Sequence, residues 1–522
     1  MGITQNSDEL PINIVGSSVF GRYPIVNAER TYNMFISDGW LVSFPGYRAV
    51  LKLLETEVEG RALYYSVRGN FLIAVAGANV YRINNFSSDP ILLGTVATTS
   101  GDVYIDENLS SQICLVDGTE DAYIYNYLDN LFGVAVFTGG PDFKPNYITY
   151  QNTYFIFGNG NKDNSGSQWF VYESGATALE LKYVQLRTLQ TKPDYAIAAL
   201  RIPGKGNNLI VFGTTVAEIW TQVPGIQVYQ RSSSVNIDFG LLSISTLASS
   251  DEIVCWLGVN EESTPSIMVM TGGGARRIST DGIDFLLANI KFPQQSTAFF
   301  FRQDGHLFYQ ITFYNPEDNG TVIYDFNEDK FFDLTDWNFD YHPARKVAYF
   351  HGETYFISLK NANIYVTDTE ITTDEIDNNT PLEIPRIRVC NTIRGNRPEK
   401  FRVSLLTFTI ENGYEPSDNF PIECNGYVLD EENNAIIYTE DDLSILVEGG
   451  YCNDYSPRID LTISKNGGKT FSNAVPYYMH RTGHYNNQPR FTQLGMCNQF
   501  TPQFRFWGFW RFVVKDAVIE IN

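Results

Sequence analysis

Residues 69–82 read GNFLIAVAGANVYR, and residues 353–366 read ETYFISLKNANIYV. The two stretches align without a gap, so that Phe71 corresponds to Tyr355 and Tyr81 to Tyr365. Each has an apolar run, a turn rich in Gly, Ala or Asn, and a second apolar run, which is the pattern of two adjacent strands joined by a tight turn. Because one hairpin cannot bury its apolar face alone, the recurrence predicts a repeat architecture.

Further apolar strand centres recur about 40 to 55 residues apart, which is the spacing of four-stranded propeller blades. They lie at residues 71–74, 112–116, 154–157, 209–212, 253–257, 307–311 and 355–358. The spacing predicts a β-propeller of seven blades, or of six blades and a degenerate one. Propellers commonly close by pairing a strand from one terminus with the last blade, and residues 40–44 are the candidate for that strand.

The predicted fold class is all-β, with a propeller over residues 38–367 and a C-terminal β-sandwich-like domain over residues 386–522. Residues 1–37 are predicted to be an N-terminal arm that packs on another part of the protein. Residues 368–385 are acidic, polar and interrupted by proline, which predicts a linker. Within the second domain, residues 411–451 are acidic and rich in asparagine.

The composition agrees with a β-rich protein, since 32 Tyr and 36 Phe in 522 residues favour strands over helices. No run of about 18 apolar residues could span a bilayer, and the N-terminus has neither the basic flank nor the apolar core of a signal peptide. We therefore expect a soluble protein made in a cytosol, without stable membrane insertion. The six cysteines are far apart and predict free, buried thiols: Cys114, Cys255, Cys390, Cys424, Cys452 and Cys497.

The formal net charge of -23 opposes general binding to nucleic acid, because phosphate contacts need clustered Lys and Arg. An acidic channel wall, however, would repel a DNA backbone and let it slide past. The acidic clusters at residues 374–377 and 430–432 are candidates for such a wall, or for an ordinary solvated outer face.

Residues 464–471 resemble the Asp-box hairpin of sialidases and related glycan-processing propellers, with Asn466 in the place of the aspartate. The box is a folding element at a β-turn. A sialidase would also need an arginine cluster, a tyrosine nucleophile paired with a glutamate, and several boxes. The chain has one box, and it lies outside the predicted propeller.

Other motifs lack residues that their chemistry requires. His480 and His484 have no Glu after the first His, as a zinc-protease motif needs. Residues 272–277 lack the Gly-Lys-Ser/Thr ending of a phosphate loop and are interpreted as a turn between blades, and residues 159–167 lack the closing Glu of a calcium loop. We therefore predict no enzyme, and no catalytic, cofactor-binding or metal-binding residues.

Residues 504–512 place aromatic side chains on both faces of one strand. A fully buried sandwich strand explains this pattern, and so does a subunit interface, because interfaces favour aromatic residues and arginine. The candidate interface residues are Phe504, Phe506, Trp507, Phe509, Trp510 and Arg511.

Several motifs occur in an order that resembles a known family, the packaged-DNA stabilisation or tail-hub (head-completion) proteins of short-tailed, P22-like phages. These motifs lie at residues 39–46, 212–220, 238–258, 461–468, 494–495 and 506–512, and the resemblance runs from about residue 38 to the end. Relative to the family pattern, residues 411–451 are an insertion and residues 368–385 form a long linker, so contacts made there are not carried over.

The resemblance implies a non-enzymatic virion protein, assembled in the host cytoplasm, that forms a homo-oligomeric ring, with six copies in the familiar member. The ring would lie below the portal and adaptor, retain packaged DNA, form part of the ejection channel and hold tail fibres or spikes. Genomic DNA would pass through the lumen without sequence-specific binding. The alternative is a glycan-binding or glycan-cleaving, sialidase-like propeller that acts in receptor recognition.

Overall fold

The computed structural model describes residues 8–21, 29–251, 253–262, 264–272, 274–375, 381–394, 400–411, 426–427, 446–447, 458–479 and 486–521. Five strands precede the first complete blade: β1 (Asp8–Ile12), β2 (Arg30–Tyr32), β3 (Met34–Ser37), β4 (Trp40–Ser43) and β5 (Tyr47–Lys52). Among the described residues, no helix is long and apolar enough to cross a membrane.

Seven sheets follow in chain order and form the blades of a propeller. Blades one to three contain β6 (Gly60–Ser66), β7 (Phe71–Ala76), β8 (Asn79–Ile83), β9 (Ile91–Thr95); β10 (Tyr104–Glu107), β11 (Gln112–Val116), β12 (Ala122–Asn126), β13 (Leu131–Val134); β14 (Val136–Thr138), β15 (Pro145–Gln151), β16 (Tyr154–Asn159), β17 (Gln168–Ser174) and β18 (Glu180–Thr188). Blades four and five contain β19 (Ala198–Arg201), β20 (Asn208–Phe212), β21 (Ala217–Gln222), β22 (Tyr229–Ile237); β23 (Gly240–Leu241), β24 (Ala248–Ser250), β25 (Ile253–Val259), β26 (Ser266–Thr271) and β27 (Gly274–Arg277).

Blades six and seven contain β28 (Ser296–Gln303), β29 (His306–Asn315), β30 (Asp318–Asp325), β31 (Lys330–Leu334); β32 (Ala344–Phe350), β33 (Glu353–Ser358) and β34 (Asn363–Thr367). A 3₁₀ turn (Ile244–Thr246) lies between β23 and β24 within blade five. Helix α1 (Asp281–Asn289) lies between β27 of blade five and β28 of blade six. Thr280 caps this helix, since its side chain accepts a hydrogen bond from the Ile283 backbone N–H.

The remaining strands are β35 (Thr373–Glu375), β36 (Pro381–Glu383), β37 (Arg386–Val389), β38 (Ile393–Arg394), β39 (Phe401–Glu411), β40 (Gly426–Tyr427), β41 (Leu446–Val447), β42 (Arg458–Ser464), β43 (Val475–Tyr478), β44 (Asn486–Asn487), β45 (Arg490–Cys497), β46 (Gln499–Trp507) and β47 (Val513–Ile521). Residues predicted as a linker thus include β35 and β36, which extend the sheet of the seventh blade through parallel pairing of β35 with β5.

The repeated hairpin that decides the fold is confirmed. Residues 69–82 form the β7–β8 hairpin of the first blade, and residues 353–366 form the β33–β34 hairpin of the seventh. The two hairpins lie in neighbouring blades and share one apolar core, in which Leu72 and Tyr81 lie with Ile357 and Ile364. The propeller has seven blades, the larger of the two predicted numbers.

The strand that closes the propeller is β5, which pairs antiparallel with β34, so the prediction of residues 40–44 is wrong. Strand β4 instead pairs with β3 and β47 in the C-terminal domain, where Leu41 and Val42 are buried. Both stretches are short and apolar, and they differ in their packing partners. Tyr47 begins β5, and its ring packs edge-on against the rings of Phe356 and Tyr365.

The C-terminal domain is a sandwich of two sheets. One sheet contains β1, β3, β4, β39, β44, β45 and β47, and the other contains β2, β37, β38, β42, β43 and β46. Their shared core includes Phe408, Leu461 and Ile519. The predicted N-terminal arm therefore contributes three strands, β1, β2 and β3, to this domain.

The propeller and the sandwich share a continuous sheet. Strand β2 pairs parallel with β31, the outer strand of the sixth blade, and antiparallel with β37. Phe308 and Phe332 of the sixth blade lie in the same apolar core as the sandwich. The sandwich is therefore joined to the propeller by both strand pairing and packing.

Candidate assembly surfaces

The six candidate interface residues do not form one surface. Phe504 and Phe506 are fully buried in the sandwich core, because alternate residues of β46 point to opposite faces. In this fold they cannot contact a second subunit. Trp507, Phe509, Trp510 and Arg511 are partly buried, and the Arg511 guanidinium is paired with the Asp304 carboxylate of the sixth blade.

Side chains beside the opposite face of β46 form a surface that we call the arginine–aromatic face: Phe339, Tyr478, Arg458, Arg505 and Trp507. Tyr478 belongs to it because it lies directly across from Arg458 in the β42–β43 strand pair. The Arg505 Cζ lies 3.3 Å from the centroid of the Trp507 ring, and the Arg458 Cζ lies 4.7 Å from it. Arg505 also lies 5.4 Å from the Phe339 ring centroid. Phe339 and Tyr478 are 51% and 54% exposed.

Carboxyl groups lie beside both guanidinium groups of this face. The Arg458 Nε is 3.4 Å from Asp460 Oδ1, and Asp460 lies directly across from Arg505 in the strand pair. Burial raises the pKa of the Glu383 carboxyl, while the positive charges of Arg505, Arg386 and Arg458 oppose that rise. These carboxyl groups offset part of the positive charge of the face, which favours a protein partner over a phosphate backbone.

A second surface, which we call the apolar rim, lies on the outer strands of the first blades. Ile91, Leu92, Leu131, Val134 and Val136 belong to β9, β13 and β14 and are 44% to 57% exposed. Strands β9 and β13 are the outer edge strands of their blades. Clustered aliphatic side chains on edge strands are typical of surfaces that another protein covers.

The axis of the propeller is bridged by side chains. The innermost strands of neighbouring blades contact one another around the axis, including β6, β10, β28 and β32. The Tyr104 hydroxyl of the second blade lies 3.2 Å from the Ser245 hydroxyl, and Lys346 Nζ of the seventh blade donates to the Ser245 carbonyl at 3.1 Å. Burial lowers the pKa of Lys346. The centre of a single propeller therefore leaves no passage for a DNA duplex.

The Asp-box-like hairpin uses its polar side chains on itself. The Ser464 hydroxyl donates to Asn466 Oδ1 at 2.8 Å and accepts from the Gly468 N–H at 2.8 Å. Asn466 Oδ1 also accepts from the Thr470 N–H at 3.0 Å. The interpretation of this motif as a folding element is confirmed.

Two other motifs also serve as turns. Strands β26 and β27 pair within the fifth blade with Thr271 opposite Gly274, so the interpretation of this segment as a turn between blades is wrong. Gly272 has a φ of +73°, a backbone conformation that tight hairpins require. In the loop at residues 159–167, Asn159 Oδ1 and Asp163 Oδ1 accept hydrogen bonds from the loop's own N–H groups. No group of three or more His, Cys, Asp or Glu side chains that could hold a metal occurs in the described ranges.

The remaining predicted residues have different outcomes. Cys114, Cys255, Cys390 and Cys497 are free and buried as predicted, and burial raises the pKa of the Cys390 thiol to about 12. Asp374 is buried, so it cannot line a channel. Predictions that lie outside the described residues concern His480, His484, Cys424, Cys452, residues 376–377, residues 430–432 and, apart from residues 411, 426–427 and 446–447, the insertion at residues 411–451.

Sequence reasoning found only part of the two surfaces. The alternation of Phe504, Arg505, Phe506 and Trp507 could have separated the buried side chains from the outward ones. Phe339 comes from a loop of the propeller, and its place beside Arg505 follows from the docking of the two domains. For the apolar rim, the available signal was the aliphatic content of β9 and β13 without any Lys or Arg nearby.

Comparisons with known proteins address the fold and the family. No curated protein sequence matches the chain. The chain is similar to a solved structure of the WD40 beta propeller domain of Doa1, with 11% sequence identity and a TM-score of 0.38, covering 62% of this chain and 98% of that chain. The phage stabilisation family described as Bacteriophage P22 Gp10, beta-propeller, matches residues 19–372. Since this match spans more than half of the 522 residues, the chain belongs to the Bacteriophage P22 Gp10 β-propeller family of phage structural proteins.

Proposed function

We propose that the chain is the subunit of a tail-hub ring that lies below the portal and adaptor of a phage. The ring retains packaged DNA, forms part of the ejection channel and anchors tail fibres or spikes. The observation that carries this proposal is the family match over residues 19–372. The two-domain architecture and the two candidate assembly surfaces support a role in assembly.

The bridged propeller axis supports a particular arrangement of the channel. Because Tyr104, Ser245 and Lys346 meet at the axis, DNA passes between subunits and not through a propeller. The lumen is then the space enclosed by several copies of the chain, each acting as a rigid wedge.

The charge of the protein supports the way in which DNA moves. At a net charge of -23 per chain, a ring of several copies repels the phosphate backbone and binds no base sequence. DNA retained under pressure therefore stays mobile in the channel. The DNA is retained mechanically, by the proteins that close the lower end of the ring.

Electron microscopy tests this proposal directly. Phage particles that carry the chain should show a ring of copies below the portal, and particles assembled without it should lose their DNA to added nuclease. Particles that keep nuclease-resistant DNA without the chain, or a chain that is monomeric and absent from purified virions, would overturn the proposal.

A further inference from the structure

We propose that the apolar rim of one copy of the chain covers the arginine–aromatic face of the next copy. This inference rests on the proposed ring and identifies which two surfaces of the subunit build it. Each surface is made of residue types that protein interfaces favour, and the two differ in chemistry in a complementary way.

The arginine–aromatic face has the composition of an interface centre. Tryptophan, tyrosine and arginine are the side chains that most often dominate binding free energy at interfaces. Here Trp507 lies between two guanidinium groups, and its indole Nε1 is buried without a hydrogen-bond partner in the described structure. Phe339 and Tyr478 leave about half of their surfaces in solvent. A partner would therefore remove aromatic surface from water.

The apolar rim gathers exposed aliphatic side chains on outer strands. Of 20 large hydrophobic residues that are exposed in the described part of the chain, five belong to the rim: Ile91, Leu92, Leu131, Val134 and Val136. Aliphatic side chains pack well on the flat faces of aromatic rings and guanidinium groups.

Charge adds a second form of complementarity. Residues 83–143 contain no Lys or Arg, and the exposed Asp89 and Asp129 lie in the turns that precede β9 and β13. These carboxylates border the rim, so they can meet the guanidinium groups of Arg458 and Arg505. A DNA backbone would instead be repelled by a chain of this net charge, which is why we assign the face to a second copy of the chain.

The position of the two surfaces agrees with a ring. The rim lies on outer strands of the first three blades, while the face lies on the sandwich, which is joined to the sixth blade through β2. A contact between two different surfaces is heterologous, and repeated heterologous contacts close into a ring when the rotation permits. Pairing of the rim with itself would give a two-fold dimer instead.

The test uses the full-length chain and two variants whose changes are confined to exposed side chains. The rim variant carries Leu92→Glu and Leu131→Glu. The face variant carries Tyr478→Glu and Phe339→Asn, since Phe339 has a φ of +62° and asparagine tolerates that conformation. Ile226→Glu, at a fully exposed aliphatic residue of the fourth blade, is the matched control. Mass photometry measures assembly, and thermal unfolding checks that each variant is folded.

We expect the concentration needed for ring formation to rise at least about 100-fold in the rim variant and in the face variant, and to stay unchanged in the control. Mixing the two variants is the sharper measurement. The intact face of the rim variant should bind the intact rim of the face variant, so the mixture should form one-to-one dimers that grow no further.

Each other outcome has a separate meaning. A wild-type ring that persists in both variants overturns the inference and leaves the proposed ring in place. A two-fold dimer lost only in the rim variant, with no dimer in the mixture, assigns the rim to self-pairing and also overturns the inference. A wild-type chain that stays monomeric at every concentration overturns the inference, and its absence from purified virions as well overturns the proposed function itself.

Discussion

Two seams of the molecule each contain two fully buried arginines. One seam joins two blades of the propeller, and the other joins the sandwich to the N-terminal strands and the propeller. Arg61 and Arg345 lie at the closing seam, where the seventh blade meets the first. Arg386 and Arg388 lie at the domain seam, where the sandwich meets the N-terminal strands and the propeller. Burying a guanidinium costs free energy unless hydrogen-bond acceptors and negative charges compensate it. The two seams can therefore be compared by the acceptors and carboxylates that surround their arginines.

At the closing seam, the partners come from turns of the repeat and from carboxylates. Arg345 donates to Asp102 Oδ1 at 2.5 Å, to Glu59 Oε2 at 2.8 Å and to the Gly60 carbonyl at 3.0 Å. Arg61 donates to the carbonyls of Gly77, Thr98 and Gly101. The same seam is also held by the pairing of β5 with β34 and by the shared apolar core of the two blades.

At the domain seam, the hydrogen-bond partners of Arg388 belong to the N-terminal segment, which is not part of the propeller repeat. Arg388 donates to the carbonyls of Ile14 at 2.9 Å, Asn13 at 2.7 Å and Ser17 at 3.1 Å, and its guanidinium is paired with Glu29. This one side chain therefore fixes the path of the N-terminal strands. The repeat therefore closes through carboxylates, strand pairing and a shared core, while the N-terminal strands are held against the sandwich in large part by one arginine.

The largest effect is expected for Arg388→Met. The substitution removes the guanidinium that pairs with the buried Glu29 carboxylate and that donates to several backbone carbonyls, so the free energy of unfolding should fall by about 3–5 kcal/mol. Urea unfolding measures the loss, and limited proteolysis should cut the N-terminal strands first. Arg302→Met removes an exposed pair with Asp251 and should change stability by no more than about 0.5 kcal/mol. Equal losses in the two variants would contradict the special role of Arg388.

A smaller effect is expected for Arg345→Met at the closing seam, about 2–3 kcal/mol. Asp102 is buried, but the Glu59 side chain is 25% exposed and can turn toward water when its partner is removed. Adding Asp102→Asn should recover part of the loss, because the unpaired buried charge is then gone. The measurement is a double-mutant cycle by urea unfolding. If Arg345→Met lost more unfolding free energy than Arg388→Met, the closing seam would depend more on its arginine than the domain seam does, contrary to the prediction.

The contrast between the seams also explains what the sequence could predict. The β7–β8 and β33–β34 hairpins were predictable, since strand pattern and turn residues are local and recur. The burial of Arg388 was not predictable, because its partners at residues 13–31 lie more than 350 positions away in the chain. In sequence, Arg386 and Arg388 alternate with Ile387 and Val389 as in a strand with one face in water.

The same limit applies to the candidate assembly surfaces. The aromatic run at residues 504–512 was visible, but which of its side chains point outward depends on the register of β46 with β42 and β37. The closing strand was misplaced by a few residues for the same reason, since β4 and β5 are both short and apolar and only their partners distinguish them.

The smallest effect is expected for Asp374→Asn, which tests whether the domain seam responds to pH. Asp374 lies among Tyr47, Asp336 and Arg386, and the Trp337 N–H donates to it. Burial, and next the negative charge of Asp336, raise the pKa of the Asp374 carboxyl well above its usual range. The folded protein therefore holds a proton that the unfolded chain loses near pH 3.9. This contribution to stability is fully present below that pH and is lost as the pH rises through the folded pKa.

An asparagine at this position cannot lose the proton, so the variant should gain stability relative to the wild type as the pH rises. The gain should be at most about 1.4 kcal/mol per pH unit within the window where only the unfolded chain is ionised, and constant above it. Urea unfolding from pH 4 to pH 8, plotted as the difference between the two proteins, measures it. Asp251→Asn, at an exposed carboxylate, should give a nearly flat difference curve and is the control. A flat curve for Asp374→Asn would mean that Arg386 compensates the carboxylate fully, and the domain seam would then be as insensitive to pH as an exposed ion pair.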